Sequence, residues 1–242
     1  MKRYVLVGLL VFAAVLVATF PARVAYRWFA PPDLVLNGIS GSVWRGTADE
    51  GMAGGAYMRT IRWRLKPAGL LTGKLALEAS ANPAGGSIDT DVAVGLGGSL
   101  ELSDLSGSVP IDLVHPAFQQ SGISGDLSLR FARLVIENGL PVVADGSVTV
   151  SNVYVPNLSA GVLGDYRAEF QTGDGGITGS VDDLSGVLEV AGVVTLTADR
   201  AYTLVGEVAA RPDAPPSVEQ QLRFLGSPNE RGLRPFRFEG RL

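Results

Sequence analysis

Period-two alternation, broken at short intervals by glycine-centred turns, constrains this chain more than any other feature. Ile61, Trp63 and Leu65 alternate with Arg62, Arg64 and Lys66, the pattern of a strand with one buried and one wet face. Leu75, Leu77 and Ala79 repeat it, as do Leu127, Leu129 and Phe131, then Val148 and Val150, Tyr202 and Leu204, and finally Phe236 and Phe238. Between these runs stand Asn82-Pro83, Gly97-Gly98, Asn138-Gly139, Asp145-Gly146 and Gly173-Asp174-Gly175-Gly176. Such residues supply the positive φ of tight hairpins. No long helical pattern separates the strands, so the pairing is expected to be antiparallel. The reading is an all-β chain with a single, strongly curved antiparallel sheet domain of roughly a dozen strands. Alternation alone leaves open a half-barrel or barrel, a sandwich, or an open curved sheet. Two short helices are expected, one starting near His115-Pro116 and one at Ser217, capped by its hydroxyl and ended by Gly226.

The first 27 residues depart from this pattern. Tyr4 to Ala22 carries no charge and is rich in Val, Leu, Ala and Phe. As one helix its 19 residues reach roughly 28 Å, close to the ~30 Å of a bilayer's hydrocarbon. Lys2 and Arg3 precede it, and Arg23, Tyr26, Arg27, Trp28 and Phe29 follow, as at a membrane interface. A cleaved signal peptide competes, but its apolar region is shorter and ends in small residues, where this chain has Arg23. The expectation is residues 1–27 as a cytoplasmic stub and transmembrane anchor, and 28–242 as an exported β domain that Pro31-Pro32 sets off from the helix.

The chain has no cysteine and one histidine, which excludes disulfides, thiolate catalysis and cysteine-bound metal. Residues 28–242 hold sixteen Lys and Arg (the chain's 20 less four at the N-terminus) against 24 Asp and Glu, a net of −8. That excludes bulk nucleic-acid binding as a role. His115 stands beside a proline in an apolar setting, and no hydrolase, metalloprotease or phosphate-loop motif is present. Asp89 with Asp91, and Asp182 with Asp183, read as solvated turn carboxylates rather than a general acid–base pair. No catalytic residue, metal ligand or cofactor is expected. Arg59, Arg62, Arg64 and Lys66 form a basic stripe that suits the wet face of a strand, or contact with lipid headgroups or an acidic partner.

Short phrases in a fixed order give the chain a resemblance. Leu36-Asn37-Gly38-Ile39-Ser40-Gly41-Ser42-Val43-Trp44-Arg45-Gly46 is followed by Ile61-Arg62-Trp63-Arg64-Leu65-Lys66-Pro67, then Leu71 and Gly73. Gly226, Gly232, Phe236, Phe238, Gly240 and the terminal Leu242 complete the series. This order resembles protein N of the bacterial type II secretion system. The resemblance implies a non-catalytic accessory subunit, anchored in the inner membrane with its β domain in the periplasm, meeting other envelope subunits of that system. The motif residues read as structural first: Trp44 and Trp63 as apolar anchors, Gly41, Gly46 and Gly73 at bends, Phe236 and Phe238 sealing a core. The alternative is a lipid-handling β-groove protein similar to the AsmA-like bridging proteins, with an apolar concave face. A third, an envelope hydrolase, lacks any nucleophile motif.

Overall fold

The computed structural model describes residues 2–30, 34–53, 56–83, 85–95, 97–111 and 121–241. Pro31-Pro32, His115-Pro116 and Leu242 lie outside the described residues. The chain opens with two helices, α1 (Lys2–Ala18) and α2 (Ala22–Phe29). Four strands follow: β1 (Leu34–Asn37), β2 (Ser40–Gly41), β3 (Arg45–Ala53) and β4 (Ala56–Lys66). A 3-10 turn, Pro67–Thr72, leads to β5 (Lys74–Pro83), β6 (Ser87–Gly95) and β7 (Leu100–Pro110). Next come β8 (Ser124–Glu137), β9 (Leu140–Tyr154), β10 (Gly164–Gly173) and β11 (Gly176–Gly186). The chain closes with β12 (Leu188–Leu196), β13 (Ala201–Ala210), α3 (Pro216–Leu222) and β14 (Arg234–Arg241).

All fourteen strands form one antiparallel sheet, in which every strand from β3 onward pairs with its neighbours in sequence. β1 and the two-residue β2 both pair with β3. The sheet is neither closed nor strongly curled, so the expected strong curvature, barrel and sandwich are corrected to a single open sheet. The physical reason lies at its two ends. Closure requires the first and last strands to pair, yet β1 offers four residues and β14 eight. β14 also carries Pro235 and the exposed charges Arg237 and Glu239, which are features of a protected edge.

The N-terminal segment is corrected as well. Pro21 lacks an N–H and disfavours helix at Phe20, so the uncharged stretch is two helices rather than one. α1 has 17 residues, about 26 Å of rise. No helix among the described residues is long and apolar enough to cross a membrane. α1 nevertheless exposes Leu6, Val7, Leu9, Leu10, Val11 and Phe12. α3 begins with Pro216 at its first position and has no side-chain cap. Ser217 donates instead to the Leu158 carbonyl at 3.1 Å, so the expected serine cap is not made. Gly226, at φ 103°, does end the following 3-10 turn, Arg223–Leu225.

Because the sheet is one layer, its apolar side chains gather into three separate clusters. α2 brings Ala22 onto Ile39 and Ala48, beside Ile61 and Trp63. α3 sets Val218, which is fully buried, and Leu222 on Leu163, Leu188 and Val208, with Phe236 packed alongside. Between them Leu105, Phe131, Ala144 and Ile177 pack from four strands, with no helix over them among the described residues. The two aspartate pairs are not turn residues but lie inside β6 and β11. Asp183, its side chain 10% exposed, accepts from the Val190 N–H and pairs with Arg211. Burial first, then the Asp183 charge, push the nearby Tyr166 hydroxyl up to about 12.

Candidate functional site

Three surfaces are assembled by this sheet. The first is the junction with α1. The Trp44 indole N–H donates to the Val17 carbonyl at 2.8 Å, and the Val43 N–H to Phe20 at 3.0 Å. Arg23 donates from Nε to the Ile39 carbonyl, and Tyr26 is held between the Leu34 carbonyl and the Leu36 N–H, each at 3.0 Å. Trp44 and Pro67 face Leu10, Ala14 and Val17 of α1 across an open apolar depression. Trp44 is therefore only part buried, tying the helix to the sheet rather than filling a core. Trp63 lies over Gly46 on the neighbouring strand, its partner in register. A Cβ at Gly46 would sit 2.2 Å from the ring. Gly41 pairs with Gly46 across β2 and β3.

The second surface is the charged face of β3 to β7. Arg64 pairs with Glu78 at 3.3 Å, and Lys66 bridges Glu78 at 3.4 Å and Asp91 at 2.7 Å. The hydrogen bond to Asp91 is the main reason the Lys66 ammonium titrates above the usual lysine range. Arg45 and Arg62 line the same concavity, of about 540 Å³, opposite Asp89 and Asp104. A bulge between Arg59 and Arg62, with Thr60 at φ 52°, offsets Arg59 from the rest of the stripe. The expected stripe is thus a mixed ladder, in which Arg64 and Lys66 are neutralised across the sheet. Arg59 and Arg62 make no ion pair among the described residues.

Further along, Glu101 on β7 accepts from Lys74 of β5 at 2.7 Å and Arg133 of β8 at 3.0 Å. Those bonds, Lys74's first, hold its carboxyl below the usual range. A depressed pKa stabilises the fold above the unfolded value near 4.5, and that contribution is lost as pH falls through the folded value. Glu101→Gln is expected to cost up to about 1 kcal/mol at pH 7, a partly exposed bridge being worth no more. Urea titrations at pH 7 and pH 3 check this, since the difference should shrink at the lower pH.

The third surface was not foreseen residue by residue. On the face spanning β8 to β13, Phe131, Ala144, Phe170, Ile177, Val194 and Leu196 line a groove of about 410 Å³. Among the described residues no charged side chain lines it, and Tyr202 brings its one hydroxyl. Register explains the groove. Phe131 faces Gly146, Gly146 faces Phe170, and Phe170 faces Gly179, so each ring lies beside a residue with no side chain. A Cβ at Gly179 would meet Phe170 and Val194 at 2.8 Å. The two phenylalanines are stacked with centroids 6.1 Å apart.

The remaining motif residues are dispersed. Leu71 falls in the 3-10 turn, Gly73 precedes β5, and Gly232 closes a turn on Asn229 ahead of β14. Phe236 joins the α3 cluster, whereas Phe238 is 54% exposed beside it and seals nothing. Gly240 lies opposite Tyr202. His115 lies outside the described residues. Among the described residues no group of three or more metal-capable side chains gathers.

A one-layer antiparallel sheet carrying a docked apolar helix, a charge-laddered face and an apolar groove defines an all-β protein organised around surfaces. The family model described as type II secretion system (T2SS), protein N matches residues 32–237, and the chain belongs to that family. The type II secretion system protein N of Aeromonas hydrophila is 26% identical over 263 aligned positions, covering all of both chains. That of Vibrio cholerae serotype O1 is 27% identical, again over the full length of both. The Pectobacterium carotovorum protein of the same name is 25% identical over half of each chain. No solved structure matches.

Proposed function

We propose that this chain is a non-catalytic accessory subunit of the bacterial type II secretion system, held at the inner membrane by α1 with its sheet in the periplasm. The match over residues 32–237 carries this reading. The apolar, exposed α1 supports the membrane placement, with Trp28 and Phe29 exposed on α2 as interfacial residues. Partner subunits meet the sheet through the charged face, where Arg59 and Arg62 remain available for acidic groups. Tagged full-length protein recovered from native membranes in mild detergent should bring down other secretion-system subunits. Arg62→Glu should reduce that recovery several-fold at low salt, and the wild-type yield should fall as ionic strength rises. Recovery of no secretion component would sink the reading.

A second reading, lipid handling, is favoured by one observation: the apolar groove with no helix or second sheet over it among the described residues. An uncovered apolar concavity of this size is the mark of a binding surface. Mass spectrometry of the detergent-purified chain tests it, and lipid-free protein would count against it.

A further inference from the structure

The groove has a definite position relative to α1. In an antiparallel meander alternate strand ends share one margin of the sheet. The margin that holds the end of β4, with Pro67 and Trp44 against α1, also holds the turns between β8 and β9, β10 and β11, and β12 and β13. The groove opens at that margin. A smaller depression of about 200 Å³ there shares Pro141, Ile177 and Leu196 with it, and adds Glu137, Asn138 and Arg200. Arg200 sits in the β12–β13 turn at φ 69°, exposed, with no ion pair among the described residues. Its neighbour Asp199 is engaged by Thr197 and Arg241.

Resting on the lipid-handling reading, we infer that this groove holds one acyl chain of a phospholipid, entering from the α1 side of the sheet, with the lipid phosphate at Arg200. Three features choose this occupant. A peptide segment laid in the groove would bring backbone N–H and C=O groups to a lining that offers a single hydroxyl, leaving them unpaired. A helix satisfies its own backbone but is about 10–12 Å across, so it would enter a concavity of about 410 Å³ by one face only. An acyl chain carries no polar group, and its headgroup reaches the mouth, where the free guanidinium suits a phosphate. Glu137 on the opposite rim disfavours a second negative charge, which fits a phosphodiester better than a multiply charged headgroup.

The test uses the full chain in vesicles containing a phospholipid with a diazirine on its acyl chain. Irradiation should label peptides that carry Phe170 or Val194, and unlabelled phospholipid should compete the label away. Ala144→Trp, which fills the groove, should reduce labelling there at least tenfold. Arg200→Glu, at the exposed turn, should reduce it several-fold without altering thermal unfolding. Because the first variant has the greater chance of misfolding, the second and the wild-type labelling map stand on their own. Label confined to α1 and α2, or unaffected by both variants, would overturn the site even where lipid co-purifies. Absence of lipid altogether would overturn the lipid-handling reading with it. Neither result bears on recovery of secretion subunits.

Discussion

Gly46→Val is expected to cost about 3 kcal/mol in the native chain, at the upper end for forcing bulk into a packed site. In a Trp63→Ala background it should cost much less. A Cβ at Gly46 would lie 2.2 Å from Cζ2 of Trp63 and 2.7 Å from the Ser40 carbonyl, so the indole is the first obstacle and the β2 backbone the second. Trp63 cannot swing away freely, because it packs beside Ile61 and Ala48 under α2. Trp63→Ala alone should cost about 3 kcal/mol, the low end for truncating a tryptophan, because the ring is only part buried. The two sites touch, so a double-mutant cycle should give a coupling of about 1–2 kcal/mol in favour of the double variant. Denaturant unfolding of the four proteins in one detergent measures it. Strict additivity would show that the Gly46–Trp63 contact does not set the position of these strands.

The same contact shows where the fold was legible and where it was not. The alternation of Ile61, Trp63 and Leu65 with Arg62, Arg64 and Lys66 is a local property, and it returned as β4 with the expected faces. That Gly46 lies beside the ring depends on register between β3 and β4, which alternation does not encode. Closure was illegible for a related reason. Whether β1 meets β14 is decided by the pairing of two strands roughly two hundred residues apart, and the alternation within each strand does not name its partner. The basic stripe was legible as four residues, but its neutralisation by Glu78 and Asp91 comes from β5 and β6. Asp183 read as a turn residue because its partner, Arg211, lies 28 positions away beyond β13. The groove was anticipated only as a general apolar concavity. Its composition rests on Phe131, Gly146, Phe170 and Gly179 falling opposite one another on four successive strands.

Leu10→Arg is expected to release the chain from membranes. Leu10 is the central residue of α1 and is 64% exposed, with Leu6, Val7, Leu9 and Phe12 also uncovered around it. Left in water, that surface would forfeit about 25 cal/mol for each Å² of apolar area. Trp44 and Pro67 cover only one side of the helix's C-terminal half. On the proposed placement a bilayer would remove the remaining cost, even though 17 residues fall a little short of its hydrocarbon thickness. Arginine at the centre of a membrane-embedded helix costs about 2.5–3.5 kcal/mol, which moves a partition equilibrium by a factor of roughly 100. Flotation of the full chain with protein-free vesicles reads this directly. Wild type and Leu10→Ala should float, and Leu10→Arg should remain at the bottom of the gradient. Protein-free vesicles matter because an apolar helix also binds apolar grooves in other proteins. Were α1 a protein-docking helix, wild type would fail to float while still recovering secretion subunits from native membranes. The membrane placement would then fall, and membership of the secretion assembly would stand.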